Sequence, residues 1–223
     1  NAFPVLKWML VCYLQEALSK ASFLILTLGT AWVYEHLATG NIVANCHKQP
    51  QKIFSKQLLS VQQIQASLEH IVALVRERQP QIKVIFTLSP VRHLRDGAME
   101  NQLSKSLLLC AIHALLGTGT SQKAEGLFYF PSYEILMDEL RDYRFYKEDM
   151  LHPTEQAVQY VWERFVETFF TAEAQSLMQE VGSIQRALAH RPFNPEGEKH
   201  LQFLATLQEK IKKMEEKISK RLE

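Results

Sequence analysis

Asp149 and His152, three residues apart within Glu148-Asp149-Met150-Leu151-His152-Pro153, are the sharpest chemical feature of the sequence. An aspartate in a turn just ahead of a helix can set its carboxylate on the imidazole Nδ1. That fixes the tautomer and leaves Nε2 to take a proton from a nucleophile, the general-base arrangement of a serine hydrolase. Pro153, just inside the start of the next helix, stiffens the turn. The same spacing also suits a structural role, with Asp149 capping that helix and His152 standing on the surface.

Three other clusters carry polar chemistry. Gly29 and Thr30 follow the apolar run Phe23–Leu28. A glycine there lets backbone approach a ligand, and the N–H groups could serve an oxyanion, although a simple turn explains it equally well. Asn45-Cys46-His47-Lys48 sets a thiol beside an imidazole. Sequence neighbours point in different directions and two ligands are too few for a metal, so a substrate-contacting polar loop or a structural loop is favoured over a thiolate nucleophile at Cys46. Ser89-Pro90-Val91-Arg92-His93 closes a second apolar run, where Arg92 could hold an anionic group or stand as an ordinary loop arginine. Asn101, Ser104 and Lys105 follow at one-face helical spacing, as a polar edge beside the same cleft or an ordinary helix start.

These residues need elements to position them. Residues 4–20 have the i, i+3, i+4 apolar spacing of an amphipathic helix. Further helices are expected over 60–79 with Ser60 as cap, 99–116, 132–142 and 153–170. In the helix over 99–116, Leu103, Leu107, Cys110, Ala111 and Ala114 mark the expected buried side. Phe23–Leu28, Ile82–Leu88 and Leu127–Phe130 are apolar runs without alternation, which suits strands buried on both faces. Alternating helix and strand from residue 4 to 170 predicts an α/β fold with a parallel sheet, whose chemistry gathers at the carboxyl ends of the strands. Residues 1–170 form that domain and 171–223 a helical extension. In the extension, Leu204, Leu207, Ile211, Met214, Ile218 and Leu222 make a coiled-coil-like seam, fit to pack on the chain itself or on a second copy as a homodimer.

Composition narrows the class. The 223 residues are 47% hydrophobic and 22% charged, ordinary for a globular chain. Lys+Arg total 25 against 24 Asp+Glu, a net charge of +1 that argues against nucleic acid held by a general basic field. Three cysteines without short spacing fit reduced thiols and a cytoplasmic location better than a disulfide framework or a structural zinc clip. No cofactor motif is evident, and no apolar run is long enough to span a bilayer.

Taken together, the runs LTLGTAWVYE, NCHK, FTLSPVRHLRDG, ENQLSKSLLL, YFPSYEILMDELRDYRFY, EDMLHPTEQAV and HRPFNP resemble the GSCFA family of bacterial proteins from about residue 22 to 200. That family is similar to the SGNH/GDSL esterase and lipase superfamily. The resemblance implies a three-layer α/β/α flavodoxin-like domain, with His152 as general base and Asp149 as its orienting acid. It implies a small-molecule, glycan or acyl ester as substrate, or a binding module of the same fold for a polar or acylated ligand. Gly29, Thr30, Asn45, His47, Ser89, Arg92 and His93 are then the substrate and oxyanion candidates. The Gly-Ser-Cys-Phe-Ala motif that names the family is absent, and the superfamily's Gly-x-Asn reads Gly29-Thr30-Ala31, with Asn45 the candidate to stand in for the missing asparagine. The expectation is a nucleophilic serine and about two further strands ahead of Asn1, a sheet incomplete at that end, and an exposed apolar strand at its edge. Ser89 and Ser104 are the alternative nucleophiles by position alone.

Overall fold

The structure, a computed structural model, describes residues 13–43, 45, 46, 48–119, 124–190 and 197–222. Residues 4–12 of the first expected helix therefore lie outside the described residues, and so does most of the HRPFNP segment. The chain divides into two compact units, residues 1–161 and 162–223.

The first unit contains α1 (residues 13–20), β1 (Phe23–Leu28), β2 (Trp32–His36), β3 (Ile42–Val43), β4 (Phe54–Leu58), α2 (Val61–Arg78), β5 (Lys83–Leu88), α3 (Ala98–Leu116) and β6 (Leu127–Phe130). A short helical turn, α4 (Ser132–Glu134), runs directly into a π-helix over Ile135–Leu140. Helix α5 (Glu155–Phe169) begins in this unit and continues into the second. β1, β5 and β6 form a parallel sheet in the order β1-β5-β6, flanked by helices, as the alternation of elements predicts for a three-layer α/β/α fold.

The core forms where apolar stripes meet. Ser60 opens α2 with a reciprocal cap: its Oγ accepts from Gln63 N–H, and Gln63 Oε1 accepts from Ser60 N–H. Ile64, Leu68, Val72 and Val75 then fall on one buried face. They pack with Leu108, Ala111 and Ile112 of α3 and with Val84, Phe86 and Leu88 on one face of β5.

Four expectations need correction. β5 is central and buried, but β1 and β6 are edge strands, with Phe23 and Ile25 of β1 each 49% exposed and Phe128 of β6 39% exposed, so neither is buried on both faces. The buried stripe of α3 starts with Asn101, Ser104 and Lys105, while Leu103, Cys110 and Ala114 are exposed; hydrogen bonds, rather than hydrophobicity, bring those polar side chains in. Pro153 does not sit inside α5. It pairs with Tyr146 in an isolated bridge, and the helix starts at Glu155. Residues 32–58, where no strand was expected, form a second, antiparallel sheet in the order β3-β2-β4. Its strands are short and carry Glu35, His36, Ser55, Lys56 and Gln57, so apolar runs alone could not reveal them.

In the second unit, Thr171 caps α6 (Ala172–Ala189) by accepting from Ala174 N–H. α7 (Glu198–Leu222) lies against it, with Lys217 paired to Glu180 at 2.7 Å and the rings of His190 and Phe203 6.2 Å apart. Contacts at the end and at the middle of α6, pairing later residues of α6 with earlier ones of α7, define an antiparallel helical hairpin. Leu207 and Met214 of the expected seam are buried in this unit. No helix of the described residues is long and apolar enough to cross a membrane.

Candidate active site

The hairpin-like segment 145–154 builds the Asp149–His152 turn. Tyr146 and Pro153 form its bridge, Lys147 N–H donates to His152 O at 2.8 Å, and Thr154 N–H donates to Phe145 O at 2.9 Å. At the tip, Met150 takes φ +59°, a left-handed conformation uncommon outside glycine. That reversal brings Leu151 and His152 N–H onto one oxygen of Asp149, Oδ1, at 2.9 and 3.0 Å. The other oxygen, Oδ2, lies 2.6 Å from His152 Nδ1. Asp149 therefore orients the imidazole and does not cap the next helix. Thr154 does that, its Oγ1 accepting from Ala157 N–H.

Hydrogen bonds set the charge of the pair. The backbone N–H of His152, then that of Leu151, then the His152 side chain hold the Asp149 carboxyl down at about 2. An anionic Asp149 accepts the Nδ1 proton and leaves Nε2 as the basic nitrogen. The pair faces solvent, with the side chain of His152 54% exposed. Nε2 makes no hydrogen bond among the described residues.

The carboxyl ends of β1 and β5 meet beside this turn. Arg92 N–H donates to Leu151 O at 3.2 Å, and Arg92 Nη1 reaches Met150 O at 3.5 Å. The ring of His93 lies over Gly29, where an added Cβ would meet Nε2 at 3.4 Å, an ordinary contact. Sterics there do not require the glycine. Thr30 Oγ1 pairs with Ser104 Oγ at 3.1 Å and accepts from Trp32 N–H.

Three side chains of α3 lock these loops. Asn101 Oδ1 accepts from His93 N–H at 2.8 Å, and Ser104 Oγ accepts from Ala31 N–H at 2.7 Å. Lys105 Nζ donates to Gly29 O and to Ser89 O, both at 2.7 Å, joining the strand ends directly. Lys105 is only 1% exposed, and burial lowers it to about 8. Ser132 fixes the other side, donating to Leu88 O and bonding to Thr87 Oγ1.

Of the candidates read from sequence, Asp149 and His152 stand together, and Gly29, Thr30, Ser89, Arg92 and His93 share one connected set of loops with them. Asn45 is exposed between β3 and β4, and His47 lies outside the described residues. Ser104 is 2% exposed and bonded to Thr30 and Ala31, and Ser89 Oγ accepts from Val91 N–H; neither hydroxyl bonds to His152. Among the described residues no group of three or more His, Cys, Asp or Glu side chains could hold a metal ion.

Sequence reasoning missed the cleft behind Arg92. Its guanidinium carbon lies over the Tyr146 ring, 4.0 Å from the centroid, and 5.8 Å from that of Tyr143. The dense aromatic and basic run Arg141-Asp142-Tyr143-Arg144-Phe145-Tyr146 was its signal.

Among curated proteins none matches the chain. A family model described as the GSCFA family matches residues 11–165, spanning the parallel sheet, both α3 loops and the Asp149–His152 turn. A second, described as the GSCFA domain protein, C-terminal domain, matches residues 181–221. The chain belongs to the GSCFA family.

Proposed function

We propose that the protein is an ester hydrolase of SGNH type in which Asp149 and His152 form the general base for a seryl nucleophile outside the described residues. The observation that carries this reading is the 2.6 Å contact of His152 Nδ1 with an Asp149 carboxylate already fixed by two backbone N–H groups.

In this scheme Nε2 removes the seryl proton as the oxygen attacks the ester carbonyl, and Asp149 stabilises the imidazolium that forms. The imidazolium then protonates the departing alkoxide, and the acyl group remains on the serine. Water, deprotonated by the same nitrogen, releases the carboxylic acid and restores the hydroxyl. Exposure of His152 suits a base that must reach both substrate and water. Gly29, Thr30, Ser89 and His93, held by α3, form the adjoining wall for the acyl group.

A second reading, a binding module for a polar or acylated ligand, is favoured by one fact: no described hydroxyl or thiol bonds to His152. Hydrolysis of p-nitrophenyl acetate, by protein expressed from the whole reading frame, separates the two. His152→Ala should lower kcat at least ~100-fold, the lower range for general-base catalysis. Equal turnover by this variant refutes the role of His152, and absence of turnover in the parent protein leaves the binding module.

A further inference from the structure

Behind Arg92 the first unit holds a cleft of about 180 Å³. Whole ligand pockets are usually ~300–1,000 Å³, so this one suits a single end of a molecule. Leu136 and Met137 supply apolar wall, and Arg92, Arg141, Tyr143 and Tyr146 supply the polar chemistry. Asp142 also lines it, but that carboxylate is engaged: Oδ1 accepts from Arg144 N–H at 2.9 Å, and Oδ2 lies 3.8 Å from Arg144 Nε.

The two arginines are poised differently from ordinary surface arginines. Arg92 sets its guanidinium carbon 4.0 Å from the Tyr146 ring centroid, and with Nη1 on Met150 O at 3.5 Å its remaining N–H groups are left to select a partner. Arg141 closes the π-helix at φ +43°, where glycine is the cheaper residue, with its N–H on Leu136 O at 3.2 Å. Among the described residues neither arginine is in an ion pair. Burial, opposed by Arg92, raises the Tyr146 phenol, which stays neutral and donates its proton to Met137 Sδ at 3.7 Å.

We propose that this cleft binds an anionic oxygen group, a carboxylate or a phosphate, through Arg92 and Arg141. It rests on the proposed hydrolase reading for its purpose: Arg92 is bonded to Leu151 and Met150, so an anion held there sits beside the Asp149–His152 turn. The substrate class is then an ester whose acyl or alcohol part carries a negative charge a short distance from the carbonyl. A guanidinium fork matches both oxyanions in two-point geometry, and the small apolar wall accommodates the few carbons between.

The test is an NMR titration of the whole chain with succinate and, separately, inorganic phosphate, reading the amides of Arg92, Arg141 and Tyr146. Saturable shifts are expected with at least one anion, and the stronger of the two identifies the group. Arg92→Gln and Arg141→Gln should each weaken that binding at least ~tenfold, while His152→Ala leaves it within twofold. Arg141 is exposed, so its variant keeps the test valid should Arg92→Gln disturb the turn. Absence of saturation with both anions, or equal affinity in both glutamine variants, overturns the proposal. The ester assay fails independently: anion binding without hydrolysis removes the hydrolase reading and leaves the cleft, and hydrolysis without anion binding does the reverse.

Discussion

Replacing Lys105 with methionine keeps the length of the side chain and removes both bonds that join the ends of β1 and β5. A hydrogen bond from a charged donor contributes ~1.5–3 kcal/mol, so the two bonds to Gly29 O and Ser89 O together contribute about 3–6 kcal/mol. Against this stands the cost of burying the ammonium. Lys105 falls from 10.5 to about 8, so keeping it charged at neutral pH costs about 3 kcal/mol. The two effects nearly offset, and Lys105→Met should lose no more than ~3 kcal/mol of global stability. For a chain of this size that is a fall in Tm of at most ~12 °C. The local effect should be larger in kind. With the tether gone, hydrogen exchange at the Ala31 and His93 amides should speed up at least ~tenfold relative to amides of the β2–β4 ladder. A second readout follows from the titration. Between pH 8 and 10.5 the unfolded chain holds a proton on this lysine that the folded chain has released. The stability of the parent protein relative to the variant therefore rises with pH across that window, by up to about 3 kcal/mol. Unchanged exchange at Ala31 and His93, or a loss above ~5 kcal/mol, refutes the view of Lys105 as a costly tether that positions the site.

Two further outcomes test the turn and the core. Asp149 is held at about 2, mainly by the backbone N–H groups of His152 and Leu151. A carboxyl-carbon NMR titration of His152→Ala should therefore still find it below the usual 3.8; a return to 3.8 would show that the imidazole does the holding. Because the carboxyl is depressed, its contribution to stability is complete above about pH 4 and disappears as pH falls through 2. Ser60→Ala removes one half of the reciprocal cap on α2 and should cost ~1 kcal/mol, or ~2–4 °C in Tm by calorimetry, with no change in anion binding.

The Asp149–His152 pair was legible from sequence because it is local. Three residues separate the two side chains, and backbone N–H groups within the same turn fix the carboxylate. Apolar runs marked the three parallel strands for a similar reason: their signal lies within each segment. The second sheet was not legible, because its strands are short and mixed in polarity, and only pairing across 32–58 makes them strands. α3 shows the limit most clearly. Its leucines suggested one buried side, yet Asn101, Ser104 and Lys105 are inside and Leu103 is out. A buried polar residue is tolerated when its partners are present, and those partners are backbone groups at other strand ends.

By itself the sequence determined the order of the three parallel strands and the helices between them, the α/β class and the pairing within one turn, all set by neighbours along the chain. Tertiary structure alone decided what Lys105 and Arg92 do. Lys105 meets Gly29 across 76 positions, and Arg92 meets Met150 across 58. No local pattern encodes such contacts, because they exist only once the parallel strands have brought their carboxyl ends together.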